Sequence, residues 1–393
     1  MSHPLKIAVV GGGPAGLLFA KLVARENPRY QIDVFEQNPS SATYGFGIVL
    51  ADVALDSLRD VDLKLHADLL AASERQDTIT LYHRRTAVPI RGNVFLGIPR
   101  VKLLNIMQAH AASEGVNIIF EKRVDDLAAL SGYDLIVGAD GVNSIIRNAL
   151  QHEFQAVVEP RVNKWAWYGT RHRFDSVELI FEQTPYGIFI AHSYRYAPDH
   201  GTFVIECSPD TWKRAGLDTK SDEESRRFCS EIFQGYLDGD ALISNRSLWF
   251  NPSFVTSKRW YAGKVVLIGD ALKTVHPSIG SGTRMAYQDA VALAKAVNHG
   301  NGDVGKSFAE FERARRPVAD GFQDAAMRSI LWYETADTRQ HLTPLEFAFS
   351  YMMRTGKVDR DRLRRIDPDF LAACEAEALH KRLAASSSAE SRL

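Results

Sequence analysis

Three runs in this chain are apolar at almost every position, and each ends on glycine. They are KIAVVGG near the start, YDLIVGADG at 133–141 and GKVVLIGDA at 263–271. A strand that is apolar on both faces is covered on both sides, which is the habit of a parallel sheet. Helical spacing follows the first run. PAGLLFAKLVAREN repeats its apolar positions at three- and four-residue steps, with Pro14 in the first turn. QIDVFEQ then completes a strand–helix–strand unit. VKLLNIMQAHAASEG predicts another helix and VNIIFEKRV another strand.

The pattern changes between Trp165 and Cys207. WAWYGTRHRF, VELIFEQ, YGIFIAHSYRY and GTFVIECS are aromatic or β-branched runs divided by turn residues. They predict an antiparallel sheet with one face open to a ligand. TITLYHR and RGNVFLGIP, much earlier, could join it. SDEESRRFCSEIFQGYL predicts a helix capped by Ser221, and SGTRMAYQDAVALAKAVNHG one ended by Gly300. The expected fold is α/β (α+β overall): a Rossmann-like dinucleotide-binding domain, an inserted antiparallel β-sheet substrate domain and C-terminal helices. The dinucleotide-binding parts are expected at 1–75, 100–160 and 261–330, and the sheet at 76–99 and 161–260. Helices are expected over 331–383 and a disordered tail, AASSSAESRL, over 384–393.

Composition narrows the class. In 393 residues, 47 lysines and arginines balance 48 aspartates and glutamates, so no nucleic-acid partner is expected. Cys207, Cys229 and Cys374 fit no metal spacing and point to free thiols in a reducing cytoplasm. No apolar run is long enough to span a bilayer, and the chain enters a strand too early to leave room for a signal peptide.

Gly11, Gly13 and Gly16 form G-x-G-x-x-G between a strand and a helix that opens with Pro14 and Ala15. The first glycine permits the tight turn, the second lets the backbone approach a pyrophosphate, and the third lets helix pack on strand. The helix N-terminus favours phosphate. Glu36, beside Gln37, stands where an acid accepts from a ribose hydroxyl. The plain alternative is a tight turn with no ligand. The fingerprint alone does not separate FAD from NAD.

Two later stretches bear on that choice. DLIVGADGVNSIIR sets Asp140 at a strand end with Arg147 in the next helix, and VVLIGDALKTVHPSIGSGTRMAYQDA sets Asp270 before a Pro- and Gly-rich loop. With the first motif, they make residues 5–330 resemble the class A flavin-dependent aromatic monooxygenases, the para-hydroxybenzoate hydroxylase superfamily. The resemblance implies non-covalent FAD, with NADH or NADPH as co-substrate. It implies that Asp270 holds the ribityl or ribose part, and that Asp140 and Arg147 serve FAD and the nicotinamide. Arg100 in IPRVKLL would touch FAD. Pro277, Gly280, Ser281, Gly282 and Thr283 would pass the flavin ring, with Pro277 at the reaction itself. Asp140 and Asp270 could instead be helix caps, and Arg100 a surface ion-pair partner. One departure is GDALK where many relatives carry Gly-Asp-Ala-Ala-His; Lys273 could alter nicotinamide contacts.

The family's reaction reduces FAD with NAD(P)H, adds O2 and passes one oxygen atom from a flavin hydroperoxide to an aromatic carbon. Water must be kept out and the ring held in place. Strand alternation puts His192, Tyr194 and Tyr196 on one face, Ser193 and Arg195 on the other. His192 is the candidate base, with Tyr194 beside it and Tyr168 as a further candidate. The alternative is a packed core in which His192 bonds a neighbour. YGFGIVL, residues 44–50, resembles the family's mobile segment by the flavin, with Gly45 and Gly47 supplying freedom. Finer resemblance is to the salicylyl-CoA/2-aminobenzoyl-CoA monooxygenases and the violacein-pathway hydroxylases. ECSPDTWKRAGLD and RRIDPDFL favour an aryl-CoA thioester over a free aromatic acid or an indole. The fused reductase domain of many aryl-CoA members has no counterpart here, so a single hydroxylation is expected, by a monomer or homodimer. A flavin halogenase, for which WAWYGT supplies only Trp165 and Trp167, and a non-catalytic flavin-binding protein are the competing readings.

Overall fold

The computed structural model describes residues 4–41 and 45–390. The chain forms two compact units. The first takes its opening segment up to Glu74, then Leu96–Val162 and Phe250–Ala326; the second takes Arg75–Phe95, Asn163–Trp249 and the chain from Met327.

The first unit is built on a six-stranded sheet. Its order is Tyr261–Ala262, Val265–Leu267, Leu135–Gly138, Lys6–Val10, Gln31–Phe35 and Asn117–Ile119. All neighbours are parallel except the edge pair Tyr261–Ala262 and Val265–Leu267. Ile7, Ala8, Val9, Val266 and Leu267 are fully buried, which accounts for their unbroken apolar runs. Helix Pro14–Glu26 is buried from Ala15 to Ala24 and lies against helix Gly282–His299, which ends at Gly300. Each fully buried Leu or Phe there contributes about 1.5–3 kcal/mol. Val10 stands opposite Gly138, and Gly138 opposite Leu267. The three glycine-ended runs therefore finish level, at one edge of the sheet.

In the second unit the sheet runs Leu242–Ile243, Lys164–Thr170, His200–Cys207, Gly187–Ala197, Val177–Thr184, Glu74–His83, Thr86–Pro99. It is mixed rather than purely antiparallel: Val177–Thr184 pairs parallel with Glu74–His83. Those strands are far apart in sequence, so a long crossover joins them instead of a hairpin. One face is dry core. Ala166, Tyr168, Phe189, Ala191, Phe203 and Ile205 pack with Cys229 and Phe233 at helix Asp222–Ile232. Ser221 caps that helix, in a reciprocal box with Glu224.

The final helix spans Pro368–Glu390, so residues 384–390 are helical rather than a disordered tail. Adding turns to a formed helix avoids the cost of nucleation, and the alanines favour it. Residues 391–393 lie outside the described residues, as does Tyr44 of the expected mobile segment. Gly45 has a positive φ of 83°, and Gly47–Ala51 is a strand. Among the described residues, no helix is long and apolar enough to cross a membrane.

Candidate active site

The level strand ends open onto a cavity of ≈ 500 Å³ within the first unit. Gly11, Gly13, Pro14, Ala15, Glu36, Gln37, Arg100, Asp140, Asp270, Gly282 and Thr283 line it. Ligands of open parallel sheets bind at this edge. Gly16 sits beneath the turn, and Gly280 and Ser281 precede the helix that contributes Gly282 and Thr283. Pro277, itself exposed, opens the 3₁₀ turn Pro277–Ile279, closed by Gly280 at φ +58°.

Each motif glycine has its own reason. A Cβ on Gly11 (φ +109°) would lie 2.3 Å from the Ala139 carbonyl oxygen, and one on Gly16 2.2 Å from that of Gly11. A Cβ on Gly13 would meet nothing within 4 Å, because it would stand in the cavity. Gly13 is also the N-cap of helix Pro14–Glu26, with no side-chain cap and no acid in the first turn. Nothing there competes with an incoming phosphate for the helix N-terminus. Glu36 accepts from Gly12 N–H at 2.9 Å and from Asn38 N and Nδ2 at 2.8 and 2.7 Å. A carboxylate offers about four acceptor positions, so one remains for a ribose hydroxyl.

Asp140 does cap a helix: its Oδ2 accepts from Ile145 N at 2.7 Å and Ile146 N at 3.3 Å. Its Oδ1 is buried and has no hydrogen-bond partner among the described residues, and Asp140 itself lines the same cavity. Burial raises the Asp140 carboxyl above its ordinary value. An orphaned buried acceptor on a cavity-lining residue, an open glycine and a spare ribose acceptor fit a dinucleotide. Arg147 is buried and outside the cavity wall. Its guanidinium donates to Val142 O at 2.6 Å and Ala271 O at 3.2 Å, tying the Asp140 loop to the Asp270 turn.

Asp270 occupies the 3₁₀ turn Gly269–Ala271, and its exposed surface faces the cavity. Its carboxyl is pushed up to about 6 by partial removal from water within the cavity walls, against the pull of Arg100 and Lys273. Lys273 does not reach the cavity. It is buried and donates to Asp289 Oδ2 at 2.7 Å, with its ammonium 4.4 Å from the Trp260 ring centroid. These contacts set Lys273 under the Asp270 turn.

In the second unit, His192 and Tyr194 lie on the sheet face opposite the dry core, since Ser193 stands across from the core residue Phe203. His192 Nε2 is 3.0 Å from Glu206 Oε2, and its ring stacks on Trp165 at 5.1 Å. Tyr194 is buried. Tyr196 falls where the register shifts between Arg195 and Ala197, and its ring lies 6.2 Å from that of His200. Tyr168 belongs to the dry core on the other face, because alternation turns it away from Trp165 and Trp167.

Residues 133–326 match the FAD binding domain family, and residues 9–64 match the NAD(P)-binding Rossmann-like domain. Salicyloyl-CoA 5-hydroxylase from a Streptomyces species is 34% identical over 95% of this chain and 76% of its own. Protodeoxyviolaceinate monooxygenase of Chromobacterium violaceum is 35% identical over 89% of this chain and 94% of its own. A third relative, the 3-hydroxy-4-methyl-anthranilyl-[aryl-carrier protein] 5-monooxygenase of Streptosporangium sibiricum, is 32% identical over 87% and 92%. The chain belongs to the FAD-dependent aromatic hydroxylases. The hydroxylase uses FAD and NAD(P)H, and when bound the flavin supplies the oxygen-transfer chemistry.

Several residues of the hydroxylase escaped the sequence reading. Asn38, Arg123 and Asn143 also line the same cavity. Their signal was position alone, each just past the carboxyl end of a sheet strand. Glu206 and Asn163 gave no signal, because cross-strand partners depend on register. Trp165, read only as half of a halogenase-like motif, packs on His192.

Proposed function

We propose that the hydroxylase acts on an aromatic acid carried as a thioester, with a hydroxyl or amino group ortho to the acyl carbon. It adds oxygen at ring position 5, para to that group. The observation that carries the reading is His192, held by a buried carboxylate on the aromatic face of the sheet. A histidine there takes the proton of an ortho hydroxyl, or accepts a hydrogen bond from an ortho amino group, and either enriches the ring positions ortho and para to it. The aromatic side chains hold a flat ring and keep water away from it. In the first unit, Asp270, Asp140 and Glu36 hold FAD by its hydroxyl groups, and the turn at Gly13 holds its pyrophosphate.

Two of the relatives support the thioester by name, one a salicyloyl-CoA and one an anthranilyl-carrier-protein enzyme, and both act at position 5. The reaction is placed in the cytoplasm, where NAD(P)H is supplied, and is carried out by a monomer or homodimer. An indole substrate is the second reading, favoured by the 94% coverage of the protodeoxyviolaceinate enzyme. NAD(P)H oxidation is measured with salicylyl-CoA, 2-aminobenzoyl-CoA, the free acids and indoles. The thioesters are expected to stimulate it and to yield a 5-hydroxy product. Stimulation by indoles alone would shift the assignment to the second reading.

A further inference from the structure

We propose that Glu206 is the positioning residue of the hydroxylation reaction, fixing the tautomer of His192 and balancing the charge His192 gains. This rests on the reading of His192 as the proton acceptor.

The register makes the pair. His192 stands opposite Val204 and Glu206 opposite Ile190, so Glu206 is the diagonal neighbour on the same face. The side chains are 12% and 1% exposed, and Nε2 and Oε2 are 3.0 Å apart. The other carboxylate oxygen, Oε1, accepts from Asn163 Nδ2 at 2.7 Å. Both oxygens of a carboxylate withdrawn from water are therefore engaged, as such a group requires. Two rings fix the imidazole plane. Trp165 stacks at 5.1 Å and 23°, and Tyr333, from the last turns of helix Val304–Glu334, lies at 5.1 Å and 38°.

An ionised carboxylate only accepts, so Nε2 carries the hydrogen and Nδ1 keeps its lone pair. The proton of the substrate's ortho hydroxyl moves to Nδ1; an ortho amino group keeps its hydrogens and only donates a hydrogen bond there. The imidazolium then carries hydrogen on both nitrogens, and its charge is met by Glu206. When the ring regains aromaticity, the ring hydrogen leaves as a proton that is taken up by the group that gave the oxygen atom, and Nδ1 returns its own to the donor oxygen. A carboxylate that orients a histidine and stabilises its cation is a recurring catalytic arrangement. A leucine or valine would fill the site between these strands without the cost of burying a charge, so packing alone gives Glu206 no role.

The test uses FAD-loaded enzyme labelled with 15N in its histidine rings, with the His192 signals identified by their loss in His192→Gln. Wild type is expected to show the Nε2–H tautomer. In Glu206→Gln, the single amide oxygen serves Asn163 and the amide hydrogens face Nε2, so the proton is expected to move to Nδ1. With salicylyl-CoA, that variant is expected to lose about 10–100-fold in product per NAD(P)H, released instead as peroxide, while keeping its FAD. A wild-type His192 with hydrogen on Nδ1 would overturn the proposal without any variant. So would Glu206→Gln with an unchanged tautomer and unchanged coupling. Unchanged coupling in His192→Gln would instead remove His192 as the acceptor; the tautomer measurement, which needs no substrate, distinguishes that failure from one confined to Glu206.

Discussion

Lys273 donates to Asp289 across 2.7 Å, and both side chains are shut away from water. Arg315 binds the other oxygen of Asp289 at 3.0 Å, and Gly269 N–H donates to Oδ2 at 3.2 Å. One carboxylate thus pairs with two buried cations and pins the turn that presents Asp270. Asp289→Ala leaves those cations unpaired and is expected to cost about 3–5 kcal/mol. Lys273→Met keeps the Arg315 pair and is expected to cost clearly less. Urea unfolding of both variants, with FAD content measured beside it, checks the order; equal losses would contradict it.

The glycine motif separates fold from ligand. Gly16→Ala forces a methyl to within 2.2 Å of the Gly11 carbonyl oxygen and is expected to destabilise the protein by about 1–3 kcal/mol. Gly13→Ala meets open space, so the apoprotein is expected to melt within about 0.5 kcal/mol of wild type. Its methyl stands in the path of the pyrophosphate, so FAD affinity is expected to fall at least about tenfold, or ~1.4 kcal/mol. Thermal melts and flavin titration of the two apoproteins report these effects separately.

Asp270 gives a pH signature. Removal from water raises its carboxyl from 3.8 to about 6 in the folded chain. A raised value means that the protonated form is the one the fold favours. Its stabilising contribution is complete below pH 3.8 and is lost as pH rises through about 6. Asp270→Asn removes the carboxylate, so its apoprotein is expected to melt above wild type at pH 7–8. The difference should shrink below pH 6 and vanish near pH 4. The same variant is expected to bind FAD more weakly. Melting curves across that range test the sign, and a variant less stable than wild type at pH 8 would refute it.

What the sequence disclosed follows from the range of the forces involved. The runs ending at Gly11, Gly138 and Gly269 were legible because a strand covered on both faces has no polar positions to disguise it. Their common edge, and so the placing of Asp140 and Asp270, follows from right-handed crossovers between parallel strands. His192 and Tyr194 were placed on one face by alternation, which is a local property. Tyr196 was lost to the shift between Arg195 and Ala197, since a bulge breaks the period of two. Glu206, Asn163 and Tyr333 reach His192 only through tertiary placement, Tyr333 from a helix more than a hundred residues away. The ion pair of Lys273 was hidden for the same reason: its partner Asp289 lies in the next helix, Gly282–His299.

Isotope incorporation decides whether the hydroxylase performs an FAD-dependent hydroxylation of an aromatic thioester. The purified enzyme is given salicylyl-CoA, NADH or NADPH, and 18O2, and the product is analysed by mass and by NMR. One labelled oxygen atom per product, at ring position 5, with close to one NAD(P)H consumed for each, is the predicted result. NAD(P)H oxidation that yields only peroxide with every thioester, or a product whose new oxygen comes from water, would contradict the account.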